Sequence, residues 1–344
     1  MTAERVVLFG AGLIGKERAQ AIRALRDRGR SIEVVGIFDP NSDSARKLAA
    51  GSGSKVLASA AEAWALKPTI CMIAVPHDDA VELTRYVLGQ GVRVLVEKPL
   101  GRSLSEAQSL AGLASPGQLT VGFNYRFYAG VERAVRDLRE GWFGKLISVS
   151  MVLGHGGSPG MEKTWKLDPV RAGGGCLIDP GIHLLDLVNV INDFKELSVV
   201  GASAWEGFWK TGIEEETHVM LRSPAGFTAN LQISIVRWRS VFRMELHGES
   251  GYGIVNGRNR SYGRQTYVRG PRWGWQQARD QAASEEMILE SDGSEVFADE
   301  LDSLIFKKSG TRPCSAEEAL QDMSLLEKCR AAITRSAIPS PPGK

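Results

Sequence analysis

Between a strand-like run, Arg5–Phe9, and an amphipathic stretch at about Leu13–Gly29 stands the hexapeptide Gly10-Ala11-Gly12-Leu13-Ile14-Gly15. A lone G-x-G-x-x-G says little; between a strand and a helix it constrains the chain strongly. Gly10 permits the tight turn, Gly12 lets the backbone approach a pyrophosphate, and Gly15 allows the helix to pack closely on the strand. The helix start at Leu13 and Ile14 offers unsatisfied N–H groups and a positive dipole end to phosphates. An acidic residue is then due at the end of the next strand, about 20 residues on, and Asp39 supplies it. A carboxylate there accepts both ribose hydroxyls of NAD and repels a 2′-phosphate. Ser42, Ser44, Arg46 and Lys47 follow closely enough to recruit such a phosphate, so NADP stays open beside NAD.

The rest of the first third keeps this rhythm. Strands are predicted at Ile32–Phe38, Lys55–Leu57, Thr69–Val75, Val92–Val96 and Leu119–Gly122, with helices at Ser42–Ala50, Asp79–Leu88 and Ser103–Ala114. Ser103 and Glu106 have the form of a capping box. Near-continuously apolar strands alternating with helices imply an α/β fold, a doubly wound parallel sheet covered on both faces. After Asn124 the pattern changes to a helix at Arg126–Arg139, a strand at Lys145–Leu153, a glycine-rich segment and a helix ending near Asp193. Closely spaced strands at Leu197–Ala204, Glu216–Arg222, Phe227–Ile235, Val241–Gly248 and Tyr262–Val268 predict an antiparallel or mixed sheet. Helices return at Ser284–Leu289, Glu295–Lys308 and Ser315–Thr334, and the proline-bearing tail Ser336–Lys344 reads as frayed. Two domains, 1–124 and 125–344, with a cleft between them suit a chain of 344 residues.

Composition removes several function classes. Lys and Arg total 42 against 40 Asp and Glu, too even a balance for a nucleic-acid binder. No apolar run approaches the roughly 18 residues of a membrane span, and no leader pattern precedes Arg5. Cys71, Cys176, Cys314 and Cys329 lack metal or redox spacing and suit a reducing compartment, so a soluble cytoplasmic protein is expected. Charge is blocked in the second half, with six arginines from Ser250 to Arg279 and nine acids from Asp280 to Asp302. Such blocks make complementary faces, or the arginines hold an anionic group on a substrate.

Two places carry chemistry. Lys98 follows the strand Val92–Val96 within Glu97-Lys98-Pro99-Leu100. Ligands of open parallel sheets lie beyond the carboxyl ends of the strands, and Pro99 keeps Lys98 out of helical geometry. There a lysine can donate a hydrogen bond to a reacting oxygen or relay its proton. The second place is Gly173-Gly174-Gly175-Cys176-Leu177-Ile178-Asp179-Pro180-Gly181-Ile182-His183-Leu184-Leu185-Asp186. Asp179 and His183, four apart, would share one face of a helix. Histidine suits proton abstraction from an alcohol near neutral pH. Asp179 would orient a substrate hydroxyl or the imidazole, or serve as N-cap with Pro180 as first helical residue.

Taken together, a dinucleotide fingerprint, Glu-Lys-Pro after the fifth strand and Gly-Gly-Gly-x-x-x-Asp-x-Gly-x-His-x-x-Asp resemble the Gfo/Idh/MocA oxidoreductases. Gly122-Phe123-Asn124-Tyr125-Arg126-Phe127 is similar to that family's link between domains. The resemblance implies an NAD(P)-binding Rossmann domain and a C-terminal α/β domain on a large open, mostly antiparallel sheet, one face of which makes a homodimer or homotetramer. It implies hydride transfer between nicotinamide and a secondary alcohol or ketone of a sugar, inositol or sugar nucleotide. Its catalytic lysine, aspartate and histidine fall on Lys98, Asp179 and His183. Pro76, His77, Glu97 and Lys98 join the glycines and Asp39 around the cofactor. Tyr125, Arg126 and Trp165, with Lys166 and His155 nearby, join the catalytic residues around the substrate. Where the family often has Thr-Pro-Asn-x-x-His, this chain reads Val75-Pro76-His77-Asp78-Asp79-Ala80, with His77 at the asparagine position and Ala80 at the histidine position. Two rival readings stand: a biliverdin-reductase- or diol-dehydrogenase-like reductase on the same scaffold, and a non-enzymatic dinucleotide sensor. No metal is expected.

Overall fold

A computed structural model describes residues 3–278, 284–291, 295–307 and 310–335. The tail expected to fray, Ser336–Lys344, lies outside them. The chain divides into two compact units: Met1–Glu132 with Arg171–Gly173 and Gly293–Met323, and Arg133–Val170 with Gly174–Asp292 and Ser324–Lys344.

In the first unit, β1 (Glu4–Phe9), α1 (Leu13–Asp27), β2 (Ile32–Phe38), α2 (Ser42–Ala50), β3 (Lys55–Val56), β4 (Ile70–Ile73), α3 (His77–Leu88), β5 (Arg93–Glu97), α4 (Leu104–Leu113) and β6 (Leu119–Gly122) follow in sequence. The six strands are parallel in the order β3-β2-β1-β4-β5-β6, and a short strand, Cys314–Ser315, adds antiparallel to β6. Val6–Phe9 and Ile70–Ile73 are buried along their length, as strands covered on both faces must be. Helix α1 buries Arg18, Ala21, Ile22 and Leu25 along one stripe. Asn41 caps α2 by accepting the N–H groups of Asp43 and Ser44. Ser103 caps α4, while the Glu106 carboxylate reaches back to the Arg102 N–H, one residue earlier than a standard box.

Residues 125–132 and 293–323, assigned from sequence to the second domain, cluster with the first unit instead. The helix Val296–Phe306 places Ala298 and Leu301 in the core built by Val6, Leu8, Ile22 and Leu25. Its apolar stripe finds cover there that nearby sequence does not offer.

Among the described residues the second unit is built on nine strands. These are β7 (Leu146–Gly154), β8 (Ser198–Trp205), β9 (Glu216–Arg222), β10 (Thr228–Ser234), β11 (Val241–Gly248), β12 (Gly251–Asn256), β13 (Gln265–Pro271), β14 (Glu286–Ser291) and the closing strand Ile333–Arg335. They lie in the order β14-β13-β12-β11-β7-β10-β9-β8 and then the closing strand. Neighbours are antiparallel except β7 with β10 and the closing strand with β8. Helices α5 (Ala129–Arg139), α6 (Pro169–Ala172) and α7 (Ile182–Ile191) precede or interrupt the strands. Val149, Met151, Leu221, Leu231 and Leu246 are buried on one face. On the other, Met220, Asn230, Ser150 and Glu245 stand in register across four strands.

Two sequence expectations fail in this sheet. β12 was not foreseen, because glycines depress strand propensity; here a Cβ on Gly253 would meet the rings of Phe143 and Tyr267 within about 3 Å, so the glycine makes room for aromatic packing. Ser284–Leu289, predicted helical, largely becomes strand β14. Arg269 pairs with Glu286 and Arg264 with Glu290 across the β13–β14 edge, and this tertiary pairing overrides the local pattern. The charge blocks thus work as complementary faces. In the first unit the acids also serve locally, with Glu295 and Asp299 meeting Arg28 and Asp302 meeting Arg30. Among the described residues no helix is long and apolar enough to cross a membrane, and all four cysteines are buried thiols.

Candidate active site

The strand order of the first unit reverses between β1 and β4, and the glycine loop leaves β1 at that point. This is where open α/β sheets bind ligands. Ala74 donates its N–H to the Phe9 carbonyl at 2.8 Å, which closes the two strand ends together. A Cβ on Gly10 would lie 2.2 Å from the Ala74 oxygen, and φ there is +100°, so only glycine fits. A Cβ on Gly15 would lie 2.0 Å from the Gly10 oxygen, whereas one on Gly12 meets nothing within 4 Å. Gly12 is the N-cap of α1 with no side-chain cap, and Leu13 beside it is exposed. The first N–H groups of α1 have no partner inside the helix.

Asp39 ends the neighbouring strand. Its Oδ2 accepts the Ala11 N–H at 2.7 Å and its Oδ1 the Asn41 N–H at 2.8 Å. Two of roughly four acceptor directions of the carboxylate are thereby used, and the glycine loop is braced against Asp39. An open backbone cradle at a helix N-terminus with a carboxylate beside it fits a dinucleotide. Of the residues that would hold a 2′-phosphate, Arg46 is ion-paired with Asp43. Pro76 is the N-cap of α3, and His77 is buried with Nδ1 2.8 Å from the Ala172 oxygen. Arg171, next to Ala172, pairs with Asp78 and Asp79. His77 is thus fastened to the Arg171–Gly173 segment.

Lys98 follows directly on β5, and the Lys98–Pro99 peptide is cis. Its neighbour Glu97, expected near the cofactor, turns its carboxylate to Arg18, whose Nε donates to Oε1 at 2.7 Å. Arg18 is fully buried. Its guanidinium also pairs with Glu300 and lies 4.8 Å from the centroid of the Phe297 ring. Burial pushes the Glu300 carboxyl up to about 7; the Arg18 charge opposes the rise and the Glu97 charge adds to it. Arg18 therefore ties α1, the strand end that carries Lys98 and the helix Val296–Phe306 into one knot. No local motif announces it.

In the second unit the glycine run backs onto the residues preceding β9. A Cβ on Gly175 would lie 2.0 Å from the Glu214 oxygen, which accepts the Cys176 N–H at 2.8 Å. Helix α7 opens at Ile182 with Gly181 as N-cap. Asp179 and the cis-linked Pro180 therefore precede the helix, and two expectations are corrected. Asp179 is not the N-cap, and it does not share a helical face with His183. The cause is local: the Asp179 N–H closes a turn on the Gly175 oxygen, and Gly181 presses on the carbonyls of Cys176 and Leu177. The Asp179 carboxylate instead accepts a hydrogen bond from Lys166 Nζ at 3.0 Å, and Nζ lies 5.4 Å from the centroid of the Trp165 ring. The charge of Asp179 raises the Lys166 pKa despite desolvation. His183 is buried in the first turn of α7.

Two other expected substrate residues, Tyr125 and Arg126, point inward. Tyr125 and Arg126 are buried in the short helical turn Asn124–Phe127. Tyr125 stands edge-on to Tyr128, and Arg126 Nη1 donates to Glu318 Oε2 at 2.6 Å. His155 accepts the Gly157 N–H on Nδ1. The first unit thus holds Gly10, Gly12, Gly15, Asp39, Pro76, His77, Glu97 and Lys98, and the second holds Trp165, Asp179 and His183.

Residues 4–125 match the family model described as "Oxidoreductase family, NAD-binding Rossmann fold", and residues 131–253 match the "GFO/IDH/MocA C-terminal domain". A 1,5-anhydro-D-fructose reductase of Ensifer adhaerens is 26% identical over 73% of this chain and 75% of its own length. A glucose-6-phosphate 3-dehydrogenase of Bacillus subtilis is 27% identical over 54% of this chain, and the match spans only about half, 53%, of that relative. The fold recurs in KijD10, a 3-ketoreductase from Actinomadura kijaniata solved with NADP and TDP-benzene. Its TM-score is 0.79 at 18% identity, covering 98% of this chain and 100% of that one.

Proposed function

Since the chain belongs to the Gfo/Idh/MocA oxidoreductases and carries their NAD-binding Rossmann domain, we propose that it moves a hydride between nicotinamide and a secondary alcohol or ketone of a sugar, inositol or sugar nucleotide. The observation that carries this reading is Lys98 at the carboxyl end of β5, in the unit whose glycine cradle and Asp39 fit a dinucleotide. The sugars named for the relatives above support the substrate class.

The cofactor supplies the redox chemistry, giving or taking the hydride at its nicotinamide ring. The chain supplies orientation and proton handling. Lys98 donates a hydrogen bond to the reacting oxygen and stabilises negative charge that develops on it. His183 takes the hydroxyl proton in oxidation and returns it in reduction. Asp179 orients a neighbouring hydroxyl or the imidazole. Asp39 favours NAD over NADP by repelling a 2′-phosphate, and the outward face of the nine-stranded sheet is the surface for a homo-oligomer.

The test is nicotinamide absorbance while the purified protein, with NAD and then NADP, meets a panel of pyranoses, inositols and sugar nucleotides. Reduction with one substrate and a preference for NAD is the expected result. Measured NAD binding with no turnover across the panel, in either direction, would favour the sensor reading instead.

A further inference from the structure

Asp179 has a partner that the proposed mechanism leaves unused. Lys166 lies 13 residues before it in sequence, and its Nζ donates to Asp179 Oδ2 at 3.0 Å. The two ends of the contact differ in setting: the Asp179 side chain is 13% exposed and that of Lys166 49% exposed. Both backbones are fixed locally. Lys166 belongs to the tight turn Trp165–Leu167, anchored by buried Leu167 and by the Asp168 N–H on the Trp165 carbonyl. Asp179 is held by its own N–H on the Gly175 carbonyl. The lysine head is further restrained by the Trp165 ring, whose π face attracts a cation at this range.

A carboxylate rotates easily about its last torsion, which has broad, shallow wells. A cation on one oxygen at hydrogen-bond distance narrows that freedom, and partial burial strengthens the attraction over its value in water. We propose that Lys166 is the positioning residue for Asp179: it fixes the carboxylate so that the group presents one orientation to the substrate or to the imidazole. The proposal rests on the catalytic role given to Asp179 above. Lys166 then acts on turnover rather than on cofactor binding, because misplacing a reacting or orienting group by about 1 Å costs up to about a hundredfold in rate.

The experiment is a double-mutant cycle in the full-length protein, read as kcat and KM for the substrate found in the panel, with the thermal midpoint of each variant recorded. Lys166→Met should lower kcat about ten- to a hundredfold, with NAD affinity unchanged. Lys166→Arg should restore most of the loss, since a guanidinium reaches the same carboxylate. In an Asp179→Asn background Lys166→Met should cost nothing more, because the two act as one unit. Should Lys166→Met fail to fold, Lys166→Gln serves in the same cycle. The proposal is overturned if the lysine variants keep wild-type kcat and shift only KM, or if the losses multiply in the double variant. Full activity of Asp179→Asn alone would remove the role of Asp179 itself, and with it both readings. Loss of activity there with intact turnover in Lys166→Met would remove only this one.

Discussion

Replacing Arg18 with methionine would leave two carboxylates, those of Glu97 and Glu300, without their shared cation in a buried setting. Methionine fills comparable space but restores no charge. Removing one partner of a buried ion pair costs about 3–5 kcal/mol, and here two acids are stranded and a cation–π contact with Phe297 is lost, which favours the upper part of that range. The loss depends on pH in a definite direction. In the wild type the Glu300 carboxyl titrates near 7 when folded against its ordinary 4.5, so stability falls as pH rises through that window, where the unfolded chain releases the proton first. Without Arg18 the folded-state pKa of Glu300 rises further, because the charge that held it down is gone. The penalty of Arg18→Met is therefore smallest at about pH 5 and largest at about pH 8. Urea denaturation of both proteins at those two pH values measures it directly, and Glu300→Gln in the variant should return part of the loss. A difference below about 1 kcal/mol, or one equal at both pH values, would refute the assignment of Arg18 as a buried charged clamp.

Other outcomes follow from the same geometry. Lys98→Ala should lower turnover about 10²–10⁴-fold while NAD affinity, followed by fluorescence titration, stays within a few-fold. Gly12→Ala points its methyl into space that no protein atom occupies; its thermal midpoint should hold while NAD affinity falls about tenfold or more, a loss of about 1.4 kcal/mol. Gly15→Ala puts a methyl against the Gly10 carbonyl and should lower stability by about 1–3 kcal/mol before any cofactor is added. Asp39→Ser should raise the ratio of NADP to NAD use in kcat/KM, because the charge opposing a 2′-phosphate is gone; an unchanged ratio would show that Asp39 does not set it.

The parts of the candidate site legible in sequence are those whose chemistry is local. Gly10, Gly12 and Gly15 announce a backbone conformation, Asp39 closes the next strand, and Pro99 marks the end of β5, all within short spans. Parts set by contacts far apart in sequence left no such mark. Glu300 lies 282 residues from Arg18, and nothing in either neighbourhood names the other. Arg126 has a residue type and place that suit substrate, yet the Glu318 carboxylate draws it into the interior. The same holds for the fold. Near-continuous apolar runs gave β1, β4 and β5 away, whereas glycine-rich β12 and acidic β14 become strands because of the partners beside them. Asp179 was found by its motif, but its position before α7, and Lys166 across from it, depend on how the glycine run turns.

The helix Val296–Phe306 and the strand Cys314–Ser315 complete the first unit from late in the chain, and this has a bearing on synthesis. After residue 132 has been made, more than 160 further residues must be translated before Glu300 can reach Arg18. At about 5–20 residues per second the delay is on the order of ten to thirty seconds. Over that interval the nascent nucleotide-binding unit carries an unclosed edge at β6 and an uncovered face of α1. Nearly the whole chain must leave the ribosome before its first third is finished.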